Sequence, residues 1–287
     1  MDSKKFGIFA VLGAAVMWSI EPILAKLSYS NASVAQTFGI RTLTIAIVAL
    51  LYAAFTKGSL KTSKKEFSVL VYIALAATIF SEFMYLYALT KIPIINVVII
   101  GHTQPLYIAL LAYFFLKEEK LTKYDYLGIF FMIAASLLVT TRTLSNLAGF
   151  RLLTFCDFMV VIASVSWATT AIAMKKYLKG LNTGTIAFYR YGISSIILVI
   201  YLAYNSNFFV SNIYQVFIGI NVGIGVILYY ESLKRIKAAQ VSAWELVTPF
   251  FAAALGYIFF KETVTLLQII GIIVLVFGVR FLAKKEN

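Results

Sequence analysis

The chain has 287 residues, of which 61% are hydrophobic and 13% are charged, and its mean hydropathy is +0.90. A hydropathy this high excludes an ordinary soluble domain of the same length. The net charge of +13 does not indicate a nucleic-acid partner, because nearly all lysines and arginines lie between long apolar segments. One cysteine, Cys156, and one histidine, His102, are too few for a disulfide, a structural zinc site or an iron–sulfur cluster. We therefore expect no metal and no cofactor.

Ten long apolar segments, separated by short polar connectors, account for most of the chain. A helix needs about 20 apolar residues to cross about 30 Å of hydrocarbon. Segments of this length favour helices over barrel strands, because a helix satisfies its own backbone hydrogen bonds in lipid. The sequence therefore predicts an all-α integral membrane protein with ten transmembrane helices at about 6–29, 34–55, 67–89, 94–116, 124–142, 155–177, 183–204, 211–233, 238–260 and 265–282.

The distribution of positive charge predicts the orientation, because lysine and arginine collect on the cytoplasmic side of membrane helices. With both termini inside, 18 basic residues lie on the cytoplasmic side and 5 on the opposite side. Arg41 and Arg190 are counted on neither side because they lie well inside predicted helices. We predict cytoplasmic N and C termini, in the plasma (inner) membrane of a microbe.

Pairs of residues recur at fixed spacing in the two halves. Trp18 and Arg41 are 23 residues apart, as are Trp167 and Arg190, and the offset between the pairs is 149. This matches the first two predicted helices with the sixth and seventh. Tryptophan normally collects at membrane interfaces, whereas Trp18 and Trp167 lie near helix midpoints. We expect both rings to line one central cavity from opposite halves, with interhelical packing as the alternative.

A second correspondence has an offset of 144. Pro105 followed by Leu116-Lys117-Glu118 matches Pro249 followed by Phe260-Lys261-Glu262. The first half has an eleven-residue connector where the second half has six residues, which accounts for the change in offset. The sequence thus predicts two five-helix repeats, residues 6–142 and 155–282. Because five is odd, the second repeat enters the membrane inverted, with a pseudo-twofold axis in the membrane plane.

This architecture and these motifs resemble the drug/metabolite transporter superfamily, in particular its ten-helix EamA-like permeases. The resemblance covers nearly the whole chain. It implies a cavity lined mainly by the first, third, fourth, sixth, eighth and ninth helices. It also implies alternating access without ATP hydrolysis, and substrates such as amino acids, other metabolites or toxic compounds. The sequence contains no Gly-x-x-x-x-Gly-Lys-Ser/Thr run, in agreement with the absence of an ATPase.

Four polar residues fall in one layer on four different predicted helices. A rise of about 1.5 Å per residue places Glu21, Arg41, Glu82 and His102 roughly 4–6 Å to the outer side of their helix midpoints. Intramembrane ionisable groups normally face a cavity or a partner. The functional hypothesis is that Glu21, Glu82 and His102 bind a cationic or zwitterionic solute, with one group exchanging a proton. The structural alternative is that a carboxylate neutralises Arg41 while His102 bonds to a carbonyl.

Some polar residues occur at matched positions in both predicted repeats, and others occur in one repeat only. Arg41 and Arg190 occupy matched positions, which favours structural or gating ion pairs over solute contact. Glu245 lies at membrane depth near a proline and is a candidate cavity residue. Pro105 and Pro249 each remove a backbone donor at a helix midpoint, so we expect kinks there. Weaker cavity candidates lie on the eighth predicted helix: Asn221, Tyr229 and Tyr230.

Three functional classes remain to be compared. A secondary permease for a small organic solute fits the duplication best, with coupling to protons left open and a lipid bilayer as its surroundings. An intramembrane enzyme is disfavoured because Glu21, Glu82 and His102 lack a cysteine or a second histidine beside them, and the sequence shows no serine–lysine or paired-aspartate signature. A receptor would need a longer ligand-binding or signalling connector. We therefore predict a transporter rather than an enzyme, with no nucleic-acid partner, and no oligomeric state is predicted.

Overall fold

The computed structural model describes residues 3–115, 123–149, 153–178, 180–236, 241, 244–245 and 247–282, and every regular element within these ranges is a helix. The helices are α1 (Ser3–Ser28), α2 (Val34–Phe55), α3 (Lys64–Ala88), α4 (Ile94–Gly101), α5 (Gln104–Phe115), α6 (Lys123–Thr141), α7 (Leu144–Ala148), α8 (Phe155–Tyr177), α9 (Thr183–Tyr204), α10 (Ile213–Leu233), α11 (Val247–Phe260) and α12 (Leu266–Leu282).

Six of these helices, α1, α2, α3, α8, α9 and α10, are long and apolar enough to cross a membrane. Four shorter apolar helices accompany them, at Ile94–Ile108, Tyr126–Thr141, Val247–Phe260 and Leu266–Phe281. The prediction of an all-helical membrane protein is confirmed. The predicted motif at residues 116–118 lies outside the described residues.

Helix starts follow local capping chemistry. The Ser63 hydroxyl accepts a hydrogen bond from the Glu66 amide at the start of α3, and the Glu66 carboxylate accepts one from the Ser63 amide. Thr154 and Asp157 form the same reciprocal arrangement at the start of α8. Such capping boxes satisfy amide donors that the first turn leaves without acceptors.

Helices of the first half of the chain pack directly on helices of the second half. Helix α1 packs on α10 and α11, and α8 packs on α3, α4 and α5. Further contacts join α2 to α9, α6 to α12 and α4 to α11. Close approach depends on glycine: a Cβ on Gly219 of α10 would lie 2.8 Å from the Arg41 carbonyl oxygen of α2. Small residues let helices approach closely in lipid. Polar side chains from both halves therefore meet inside the bundle.

Helix α3 contains a π-helical segment, Ala74–Glu82, which the sequence did not predict. Its carbonyl groups accept hydrogen bonds from the second half. The Ser166 hydroxyl donates to the Ala76 oxygen at 3.0 Å, and the Trp167 Nε1–H donates to the Ala77 oxygen at 3.0 Å. Widened turns of this kind occur frequently at functional sites. Here the widened turn places Glu82 at its C-terminal end.

The fourth predicted helix is interrupted rather than bent. Helix α4 ends at Gly101, residues His102 and Thr103 form a turn, and α5 begins at Gln104. Pro105 therefore lies in the first turn of α5, where a missing amide hydrogen costs nothing. Pro249 lies in α11, and Trp244 and Glu245 before it are also helical, so the kink expected at Pro249 stays a prediction.

Candidate functional site

Arg41 of α2 bridges two buried carboxylates. Its Nη1 donates to Glu82 Oε2 at 2.5 Å and its Nη2 donates to Glu21 Oε1 at 2.6 Å. The Arg41 side chain is only 3% exposed, so the pairing is shielded from solvent. A planar guanidinium presents separate donors in a fixed fork, which allows one arginine to hold two acids on α1 and α3.

The second oxygen of Glu82 reaches the other half of the chain. Glu82 Oε1 accepts from Arg190 Nη2 at 2.6 Å and from the Tyr191 hydroxyl at 2.8 Å. Arg190 also donates from Nε to the Thr78 hydroxyl at 3.0 Å and from Nη1 to the Tyr230 hydroxyl at 3.2 Å. Glu82 therefore joins both repeat-related arginines. We call Glu21, Arg41, Glu82 and Arg190 the charge cluster; with two acids and two guanidinium groups, its formal charge is zero.

The structure thus brings together three of the four residues placed in the outer layer by depth, and adds Arg190. An inverted repeat that places Arg41 toward the outer side predicts Arg190 toward the inner side, yet both arginines bind Glu82. Both carboxylates, rather than one, neutralise Arg41. His102 is separate from this cluster. Its Nδ1 lies 2.7 Å from the Val98 carbonyl oxygen, the backbone contact that the structural alternative describes.

Two aromatic pairs connect the halves. Trp18 of α1 lies 5.0 Å from Tyr229 of α10, and Trp167 of α8 lies 5.7 Å from Tyr85 of α3, measured between ring centroids. All four rings are half-buried. Tyr85 was missed by the sequence reasoning, although its offset of 144 from Tyr229 is the offset of the two prolines. The residues of one aromatic pair are therefore the repeat counterparts of those in the other.

Glu245 immediately precedes the described start of α11 and is half-buried. It carries its carboxylate just ahead of α11, which packs on α1, the helix of Trp18. Within the described ranges, no hydrogen bond or ion pair reaches this carboxylate. On α10, the Asn221 amide is directed to the backbone, since its Nδ2 donates to the Met17 oxygen at 2.6 Å.

An ion pair that the sequence did not predict lies at the C-terminal end of α1. Lys26 Nζ lies 2.5 Å from Glu262 Oε1, and Glu262 Oε2 accepts from the Ile94 amide at 2.8 Å. One carboxylate thus links α1, the start of α4 and the connector after α11. Glu262 had appeared in the sequence only as part of a repeated motif. The signal that could have found the pair is an acid and a base at the same predicted membrane surface.

The comparisons with known proteins agree with this arrangement. A family model described as the EamA-like transporter family matches residues 5–141 and again residues 154–284. An uncharacterized transporter of Methanothermobacter thermautotrophicus is 22% identical over 295 residues, covering 96% of this chain and 85% of that protein. An uncharacterized protein of Methanocaldococcus jannaschii is 36% identical over 70 residues, covering 24% and 51%. A solved crystal structure with 16% identity shares the fold, with a TM-score of 0.68 over 97% of this chain and 96% of the other.

Proposed function

We propose a transport function from one premise: this chain belongs to the EamA-like transporter family. The proposed activity is secondary transport of a small organic solute across the plasma membrane of a microbe by alternating access. Amino acids, other metabolites and cationic toxic compounds are the solute classes, and a proton is the candidate coupling ion. The chain is an integral membrane protein, in agreement with its apolar helices.

Helix packing supports an inverted repeat of five helices in each half. Under the predicted repeat, the contact of α1 with α10 corresponds to that of α8 with α3, and both exist. The contact of α1 with α11 corresponds to that of α8 with α4 and α5, and both exist. The pairs α2 with α9 and α6 with α12 correspond to themselves. A pseudo-twofold axis would produce this set of contacts. The two stretches matched by the family model support repeats at 6–142 and 155–282.

The proposed cavity rests on one observation, the two aromatic pairs. Each pair consists of one residue from the first half and one from the second. A solute held between the halves would meet Trp18 with Tyr229 on one side and Trp167 with Tyr85 on the other. Aromatic rings at membrane depth bind the apolar or cationic parts of a solute. The proposed solute contacts are the four rings of these pairs, together with Asn221, Tyr230, Glu245 and His102. Glu21 and Glu82 act on the site through the charge cluster.

The ion pair between Lys26 and Glu262 supports assigning the structure to one state of the proposed transport cycle. If both termini are cytoplasmic, this pair ties helices together at the outer surface. The structure then represents a state closed to the outside. Alternating access requires the pair to open when the outer side admits solute.

Solute counterflow in proteoliposomes tests the proposal. Saturable, protein-dependent exchange of labelled solute is the expected result. Trp18→Leu and Trp167→Leu should each reduce exchange about tenfold or more, because each removes an aromatic surface from the cavity. Phe55→Leu is the control, since Phe55, the last residue of α2, is 87% exposed. Formation of a chemical product without flux would instead indicate an intramembrane enzyme.

A further inference from the structure

The described acids inside the bundle differ in one respect, which is whether a basic side chain compensates them. Glu21 and Glu82 belong to the charge cluster, and Glu262 pairs with Lys26. These three acids thus have cationic partners. Two further acids are also paired: Asp157 lies 3.6 Å from Arg142, and Glu231 pairs with Arg235 and Lys234. Glu245 has no such partner among the described residues.

The described cations at membrane depth are already neutralised. Arg41 donates to Glu21 and Glu82, and Arg190 donates to Glu82. No basic side chain is left over in the interior of the described bundle. Its formal charge is therefore −1, and the charge is located at Glu245.

An uncompensated carboxylate in the hydrocarbon region is costly to maintain. Such groups persist where they face a water-filled cavity or receive a partner from outside the protein. Glu245 as a whole residue is half-buried. It precedes Pro249 by four residues, so its backbone carbonyl also lacks the usual helical donor.

The surroundings of Glu245 suit a cation with an apolar body. Helix α11, which follows Glu245, packs on α1, the helix that carries Trp18. The Tyr229 ring packs on Trp18 and lies 5.9 Å from Tyr230. The faces of such rings attract ammonium groups, and their area binds hydrocarbon. A zwitterion would bring a carboxylate for which the described interior has no free cation. An anion would meet the Glu245 charge directly.

We infer that the solute is an organic monocation carrying an apolar or aromatic group, and that Glu245 binds its positive charge. This inference rests on the transport function proposed above. It selects one class among amino acids, neutral metabolites and cationic compounds. Glu245 is the proposed charge-recognition residue, and Trp18 with Tyr229 forms the adjacent aromatic surface.

Matched probes test the charge requirement. The purified wild-type protein is titrated with three monocations: 2-phenylethylammonium, benzyltrimethylammonium and tetraphenylphosphonium. Phenylalanine differs from the first probe by one carboxylate, and 3-phenylpropionate carries only the negative charge. We expect at least one monocation to bind at least tenfold more tightly than phenylalanine, with 3-phenylpropionate weaker still. Equal affinity for amine and zwitterion, or no binding of any of the three monocations, would overturn the inference.

The variant Glu245→Gln removes the charge and keeps the shape. Binding of the preferred monocation should weaken about tenfold or more, because a desolvated charge interaction is lost. The thermal unfolding temperature should stay level or rise, because Gln needs no counter-ion. Glu245→Asp keeps the charge and should retain part of the affinity. Glu66→Gln is the control, since Glu66 is a half-buried capping residue at the start of α3 whose role glutamine can fill.

The two proposals fail in different ways. If the monocation binds in a manner that depends on Glu245 but shows no counterflow in proteoliposomes, the site stands and the transport function is wrong. If phenylalanine shows saturable counterflow that Glu245→Gln leaves unchanged, transport stands and the monocation assignment is wrong. Unchanged monocation affinity in Glu245→Gln removes Glu245 from recognition.

Discussion

Substitution of Glu82 by glutamine should destabilise the protein more than any other single Glu→Gln change in the described bundle. Glu82 accepts two guanidinium donors, from Arg41 at 2.5 Å and Arg190 at 2.6 Å, and the Tyr191 hydroxyl at 2.8 Å. Arg41 would keep Glu21, but Arg190 would keep only neutral partners. Removing one member of a buried ion pair costs about 3–5 kcal/mol, because a charge is left uncompensated. We expect a loss of that order.

The assay is thermal unfolding of purified protein in detergent or nanodiscs, with Glu66→Gln as the matched control. Because the cost arises from charge, a second substitution should relieve it. Glu82→Gln combined with Arg190→Gln leaves only the neutral pair of Arg41 with Glu21. The double variant should therefore unfold at a higher temperature than Glu82→Gln alone. Additive losses in the double variant, or a Glu82→Gln variant as stable as Glu66→Gln, would refute the reasoning.

Three further predictions concern other contacts. Arg41→Lys should lower the unfolding temperature and leave solute preference unchanged, because an ammonium cannot reproduce the fork that holds two carboxylates; a change of preference at unaltered stability would contradict this. Gly219→Ala should lower the free energy of unfolding by about 1–3 kcal/mol through overpacking, since its Cβ would lie 2.8 Å from the Arg41 carbonyl oxygen. Gly180→Ala, whose Cβ would have no atom within 4 Å, should leave the unfolding temperature unchanged. Glu262→Gln should weaken the link to Lys26 and widen the distance distribution between spin labels on the outer ends of α1 and α11; an unchanged distribution would exclude a gating role.

The helix positions were predictable because lipid imposes a minimum apolar length on every spanning helix. Helices α2, α8 and α9 occupy 34–55, 155–177 and 183–204, the ranges expected from hydropathy. The capping residues Ser33, Thr154 and Asn182 mark the same starts. At these three helices, the capping residues and the apolar length that lipid requires predict the same starting positions.

The site was predictable only in part, because depth along a helix can be estimated from sequence while rotation about its axis cannot. Depth placed Glu21, Arg41 and Glu82 in one layer, and the structure joins them. Arg190 joins the same cluster through Glu82, a contact that depth alone did not predict. The π-helical turn before Glu82 leaves no pattern in an apolar segment, since every neighbouring position is apolar or small.

The charge cluster makes the two halves unequal in a way that bears on alternating access. The arginines are duplicated, but the carboxylates are not, because Glu82 corresponds to Val226 and Glu21 to Thr170. Under the proposed alternating access, an exchange of packings between the halves would not regenerate the same bonds by symmetry, so we expect one of the two states to lose contacts at Glu82. Buried ion pairs contribute more to the choice of a packing than to net stability when neutral alternatives exist. The cluster should therefore bias the resting protein toward the state closed by Lys26 and Glu262, and solute binding must supply the difference in free energy that opens the other.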